Sequence, residues 1–396
     1  MGGIMLFVFK SGSRNTFDND RKEKTFRKNY YRCFKLRLPS TDAIEDLYRS
    51  LGEKELEQLK AVLIKELIER KVFYRFKFLS KKYLISIDGT GVSSYQSDYC
   101  GECTHKTSKN GVTTYFHNVL EAKLVTHNDI SVSIATEWIR NESGKEYDKQ
   151  DCELKAFKRL AEKIKKAYPR MPIVILADGL YANQTFFKIC KNNNWDFIVT
   201  FKEGNLPSVH QELELLPQSA MSIRERLISS KKGYTKSQKF TWYNNIDYCG
   251  FSLASIQCNE VKTTIKTGKS EVRVFHYLTN MEIDRNNCYT ISDSGRLRWR
   301  IENSFDYLKN HGYNLGHKFS RVSFLSLKNW YQSMMLAHLI NQLVEKSTEI
   351  DVILKNHSKC SVSYLWKRLW SFFAECEIQE FEYEQFVKKR CQLRLV

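Results

Sequence analysis

Proline is scarce in this chain, with 5 in 396 residues, and no Gly/Ser-rich stretch joins one part to another. That argues against a long flexible linker and leaves no sharp compositional break between domains. No window approaches the roughly 20 apolar residues that cross a bilayer. The opening stretch, Met1-Gly-Gly-Ile-Met-Leu-Phe-Val-Phe-Lys10, also lacks the basic region and small-residue cleavage site of a secretory signal. The 11 cysteines show no framework, which speaks against a secreted disulfide scaffold and for reduced thiols in a cytosolic setting. Acidic residues are outnumbered, 45 Asp and Glu against 63 Lys and Arg, so the formal charge is +18.

An excess of this size over an otherwise globular composition favours a polyanionic partner, most simply nucleic acid. Aromatics are abundant at 13%, including 21 Tyr and 7 Trp. They suit either base stacking or an aromatic core.

Four regions are expected. Residues 1–80 hold a basic arm (11–36, with Arg21-Lys-Glu-Lys-Thr-Phe-Arg27-Lys28) and a helical segment over 40–71, capped by Ser40 or Thr41. A catalytic core occupies 81–203 and 293–320, a basic β-rich insertion 204–292, and C-terminal helices 321–396. Within the core, Tyr83–Asp88 reads as a buried strand that Asp88-Gly-Thr-Gly91 turns away. Tyr115–Thr126 and Ile130–Ile139 are two further strands, joined by a turn at His127-Asn128-Asp129. A helix follows over Asp151–Tyr168. The apolar run Pro172–Ala177, ending in Asp178-Gly179, has the mark of a strand covered on both faces. A short helix (Ala182–Asn193) and another covered strand (Trp195–Phe201) complete the series.

Three strands in a meander, then helix, strand, helix, strand and a final helix after an insertion, describe a mixed α/β sheet with helices on its faces. This is the element order of a ribonuclease-H-like core. In that topology the first and fourth strands are neighbours, so Asp88 and Asp178 lie side by side. The closing helix would be Gly295–Lys309. At about 100° per residue, Arg298, Glu302 and Lys309 fall within roughly 40° of one line, beside a stripe of Leu297, Ile301, Phe305 and Leu308. Taken alone, this is a solvated helix with an ion pair worth a few tenths of a kcal/mol. Beside Asp88 and Asp178, Glu302 becomes a third carboxylate.

Three carboxylates from separate elements in a basic protein suggest bound divalent cations. Mg²⁺ takes oxygen ligands and often links carboxylates to a substrate phosphate. Two such ions about 3.5–4 Å apart serve phosphodiester displacement. Asp88 is placed to bridge them, with Asp178 and Glu302 on either side, while Arg298 and Lys309 meet flanking phosphates. Glu137 and Glu153 are spare carboxylates, either a fourth ligand or surface residues. Cys100-x2-Cys103-x-His105, with His117 further on, admits a zinc site. A single CxxC without a second ligand pair equally admits ordinary loop cysteines, and a hydrogen-bonded structural histidine at 117.

Asp88-Gly-Thr-Gly, Ala177-Asp-Gly-Leu-Tyr181 and Arg298-x3-Glu302-x6-Lys309 resemble the three motifs of DDE transposases. The nearest likeness is to the insertion-sequence type, with a β-insertion and a Tyr-x2-Arg-x3-Glu-x6-Lys signature. The signature tyrosine falls at Gly295, where this chain departs from the pattern. The resemblance implies a cytoplasmic, nucleoid-associated bacterial enzyme. It would use two Mg²⁺ ions, with Mn²⁺ as substitute, to cleave transposon ends and join them to target DNA, as a homodimer in the synaptic complex. In relatives an aromatic of the insertion stacks on a flipped base, a part for which Trp242 is the candidate unless it is a core tryptophan. A ribonuclease-H-like nuclease without strand transfer, and a non-catalytic DNA-binding derivative, are the alternatives.

Overall fold

The computed structural model describes residues 1–141, 150–230, 233–357, 360–389 and 392–396. Five helices precede the sheet: α1 (Gly2–Val8), α2 (Arg14–Asp20), α3 (Lys24–Phe34), α4 (Thr41–Ser50) and α5 (Glu55–Glu69). A meander follows, of β1 (Tyr83–Tyr95), a short β2 (Thr104–Thr107), β3 (Thr113–Val125) and β4 (Ser131–Ile139). Then come α6 (Glu153–Ala167), β5 (Ile173–Ala177), α7 (Gln184–Asn193) and β6 (Asp196–Thr200). The insertion contributes α8 (Pro207–Leu215), β7 (Ser222–Ser230), β8 (Tyr234–Tyr248), β9 (Phe251–Thr264) and β10 (Ser270–Thr279). The chain closes with α9 (Cys288–Arg296), α10 (Trp299–Asn310), α11 (Phe324–Glu345), α12 (Thr348–Asn356), α13 (Val362–Glu375) and α14 (Glu380–Lys388).

One mixed sheet runs β2-β3-β1-β5-β6-β10-β9-β8-β7, with β4 paired to β3. The fold is the mixed α/β, ribonuclease-H-like arrangement expected from the element order. β1 and β5 are parallel neighbours, with Ser86 opposite Leu176, and β5 and β6 are parallel in turn. Alternation along the central strands feeds different cores. Ile85, Ile87, Ile173 and Ile175 face a cluster with Phe157, Leu160 and Phe186 of α6 and α7. Leu84, Val174 and Leu176 face α9 and the insertion strands through Ile291, Phe240 and Ile256. Strands covered on both faces have no polar side to display, hence the unbroken apolar run of β5. None of the described helices is long and apolar enough to cross a membrane.

Two sequence expectations need correction. β1 does not stop at Asp88 but continues through Gly89 and Gly91 to Tyr95, paired with β3 along its outer half. Glycine serves there for a close approach, described below, and not for a turn. Residues 11–36 are not a free arm: they form α2 and α3, and Asn29 donates from Nδ2 to the carbonyls of Phe373 and Cys376 at 2.8 Å. The segments before 80 and after 321 pack together: Leu6, Phe7, Ile44 and Tyr48 share one core with Ile301, Phe305 and Trp330. The insertion joins the same sheet, since β10 pairs antiparallel with β6. The cap at Ser40 is as expected, accepting from the Ala43 amide.

Candidate active site

α10 is fixed on the sheet by two polar ties that the sequence pattern does not show. Ser86 Oγ on β1 donates to the Arg298 carbonyl at 3.1 Å. Lys123 Nζ on β3, fully buried, donates to Ser304 Oγ at 2.8 Å. Desolvation pulls the Lys123 ammonium down to about 8, which eases the burial of a cation. The helix is not continuous from Gly295 as expected. It breaks between α9 and α10 at Leu297 and Arg298, where tighter i→i−3 bonds (Leu297 to Ser294, Arg300 to Leu297, each 2.9 Å) carry the chain round.

The three expected carboxylates are brought towards one place. Asp88 stands mid-strand on β1, and its Oδ1 accepts from the Gly89 amide at 3.0 Å. Asp178 follows β5 directly and caps a single helical turn, Gly179–Tyr181, by accepting from Leu180 N at 2.9 Å. Glu302 sits in the first turn of α10 and accepts from Arg298 NH1 at 2.6 Å. Arg298 is buried, with its guanidinium also stacked 4.8 Å from the Trp299 ring centroid. Lys309 is exposed on α10, about 10 Å along the axis from Glu302 at 1.5 Å per residue.

A fourth carboxylate joins them. Glu153 opens α6, and a Cβ placed on Gly89 would lie 2.3 Å from its Oε1. Only a residue without a side chain lets the glutamate come this close, and this accounts for the glycine of Asp88-Gly-Thr-Gly. Glu153 Oε2 accepts from the Tyr181 hydroxyl at 3.4 Å. The electrostatics tie the group together. Burial, then Glu302, push the Asp88 carboxyl up to about 6, with Arg298 opposing and Glu153 adding. Burial and then Asp178 raise Glu153. The Tyr181 hydroxyl is driven up by burial and by Glu153, Asp178 and Asp88 in that order.

Four half-buried carboxylates with one paired guanidinium form an uncompensated negative site in a chain of charge +18. Hard oxygen donors grouped beside Asp88 and Glu153, whose proton affinity burial and neighbouring carboxylates raise, suit divalent cations such as Mg²⁺. The oxygens are not gathered to coordination distance. Among the described residues, the one His, Cys and carboxylate group whose ligand atoms all lie within 4.8 Å is Cys100, Cys103 and His117. A cavity of about 1130 Å³ on the other flank of α10, lined by Arg300, Tyr307 and Trp366, holds none of the four.

The remaining candidates part company. Trp242 is a core residue, 3% exposed and packed with Phe240 and Ile256, so it presents no face to a base. Its place on β8 points its side chain into the core beneath the insertion strands. The exposed tryptophan at the site is Trp299, 54% exposed and next to Arg298. The expected stripe could have shown it, since Trp299 falls outside the apolar line. Glu137 is bound to Arg159 and Lys163, at 2.7 and 2.8 Å, away from the carboxylates. His105 lies tilted against Tyr115, outside the cysteine group, whereas His117 lies within it. At Gly295 a Cβ would meet the Tyr277 ring at 2.7 Å, so a tyrosine from the insertion fills the space where the signature residue is absent.

Residues 79–340 match the family described as "Transposase DDE domain", well over half of the chain. No curated protein matches it.

Proposed function

The chain belongs to the DDE transposase family, and from that premise we propose that it binds transposon ends and carries out metal-dependent DNA strand cleavage and strand transfer. The observation that supports this reading is the convergence of carboxylates from β1, α10, α6 and the end of β5: Asp88 is raised by burial and then by Glu302 and Glu153, and Glu153 by burial and then by Asp178. Such a set holds its carboxylates against repulsion, as a cation-binding site does. Asp88, Asp178 and Glu302 are the residues we assign to hold Mg²⁺ or Mn²⁺, with Glu153 beside them. The bound cations supply activation of the attacking oxygen and stabilisation of the leaving one.

The protein's own part is orientation. Ser86 and Lys123 hold α10 against β1 and β3, with Glu302 near enough to Asp88 to act on its charge. Arg298 stays engaged with Glu302 and fixes its rotamer. Lys309, free on the same helix, contacts a DNA phosphate, and Trp299 offers an exposed ring for stacking. Two ends joined in concert call for two active sites, hence a homodimer when synapsed.

The test is cleavage and joining of the element's own terminal repeats by purified protein with Mg²⁺ or Mn²⁺. Products with the freed 3′-hydroxyl joined to a target duplex support the reading. Nicking without any joined product favours the nuclease without strand transfer, and binding without either favours a non-catalytic derivative.

A further inference from the structure

We propose that Cys100, Cys103 and His117 form a zinc site that locks the β1–β2 connection onto β3, apart from the carboxylate site. The three ligand atoms make a triangle. Cys100 Sγ and Cys103 Sγ are 3.5 Å apart, and each lies 3.5 Å from His117 Nε2. Around tetrahedral zinc, bonds of about 2.3 Å to sulfur and 2.05 Å to nitrogen put sulfurs about 3.75 Å apart and sulfur and nitrogen about 3.6 Å apart. The observed triangle is one face of such a tetrahedron, contracted by a few per cent.

The backbone is shaped for it. Gly101 adopts φ +68°, the left-handed region that lets the chain reverse between the two cysteines. The Glu102 amide donates to Cys100 Sγ at 3.4 Å, the kind of bond that stabilises a thiolate. The turn is tied down from outside, since Asn141 donates to the Cys103 carbonyl at 2.9 Å and Glu102 pairs with Arg140 at 2.8 Å. His117 is fully buried and stacks on Phe324 at 3.8 Å and 10°, with Tyr95, Tyr99 and Trp138 edge-on. Its Nδ1 is buried without a partner among the described residues. With the ring proton there, the Nε2 lone pair faces the sulfurs. Asp98 Oδ1 accepts from the Cys100 and Gly101 amides and ties the turn from its other side, leaving the fourth corner to a water or another donor.

Aromatic walls and a sulfur-nitrogen donor set select zinc over the hard cations that suit the carboxylates. Binding releases one proton from each thiol to solvent, two per zinc, and leaves the metal redox state unchanged. The site lies several residues beyond Asp88 on the same pair of strands, since His117 follows the register opposite Ser93. It would therefore stiffen the outer end of the strand that carries the first catalytic carboxylate.

The full-length chain, purified without an affinity tag under reducing conditions and dialysed against excess Mg²⁺, is assayed for zinc by mass spectrometry, then reconstituted with Co²⁺. The expected result is about one zinc per chain, lost at least fivefold in Cys103→Ser and in His117→Ala. It should be retained in Asp88→Asn and Cys360→Ser. The cobalt form should show a sulfur-to-metal charge-transfer band and the visible bands of a tetrahedral site. Less than a tenth of an equivalent in the wild-type chain, or zinc that survives Cys103→Ser, would overturn the assignment. So would a mass 2 Da low from a Cys100–Cys103 disulfide in freshly reduced protein. Loss of zinc in Asp88→Asn alone would place the metal at the carboxylates and overturn it equally.

Discussion

Gly89 and Glu153 meet so closely that a Cβ on the glycine would stand 2.3 Å from the glutamate's Oε1 and 2.7 Å from its Cδ. The contact joins β1 to the start of α6 beside Asp88.

Gly89→Ala should therefore displace the Glu153 side chain while leaving the fold largely intact, since the flexible end of a glutamate gives way before the backbone does. The expected cost is about 1–3 kcal/mol of stability and a loss of metal-dependent cleavage. In the Glu153→Ala background, Gly89→Ala should cost little more. Additive losses in the double-mutant cycle would show that the two residues act independently.

Asp88→Ala, Asp178→Ala and Glu302→Ala should each lower end cleavage by roughly 10³-fold or more while DNA binding, measured by electrophoretic shift, survives. Cleavage within tenfold of wild type in any one of them would remove that residue from the site.

The Asp88 carboxyl titrates near 6 in the folded chain against an ordinary value of 3.8. Its folded state thus holds the proton more tightly than the unfolded one. The associated stability is complete below about pH 3.8 and is lost as pH rises through about 6. In the metal-free chain at pH 7.5, Asp88→Asn should raise the melting temperature by roughly 1–4 °C, a figure discounted for the carboxyl's partial exposure. At pH 4 the gain should vanish. Wild-type cation binding should likewise strengthen from pH 5 to 7, because the proton must leave first. A melting temperature in Asp88→Asn lower than wild type at pH 7.5 would contradict the assigned cause.

Lys309→Ala should weaken binding to end DNA and reduce the slope of log K against log salt by about 0.9. The defect should be largest at low salt and shrink as salt rises, checked by anisotropy titrations at several concentrations. An unchanged slope would mean that Lys309 touches no phosphate.

Much of the fold could be read directly. The apolar runs ending at Asp88 and Asp178 are legible because a strand covered on both faces has no choice of residue, and the parallel β1–β5 pairing follows from element order. Glu302 was legible only once those two were placed, since its helix on its own reads as a surface ion pair. What escaped has a common cause, that it depends on packing across long separations. Glu153 enters the site because Gly89 leaves room, a fact invisible in either residue's neighbours. The close grouping of His117 with Cys100 and Cys103 rests on the pairing of β2 with β3, which sets Thr104 opposite Phe116, and not on a spacing along the chain. Residue type alone leaves Trp242 open between stacking and core, and burial among Phe240 and Ile256 decides for the core, whereas α3 keeps Lys24, Arg27 and Lys28 exposed while Asn29 ties the helix to the C-terminal segment.

The pairing of β10 with β6, together with the fit of Tyr277 against Gly295, makes the insertion mechanically continuous with the chemistry. From β7 to β2 the hydrogen-bonded strands follow one another without a break, and α9 rests on both parts. A load taken up by the outer ribbon, such as a strained duplex pulling on β8 and β9, is passed through β10 and β6 to β5 and so to Asp178, with no joint between them to absorb it.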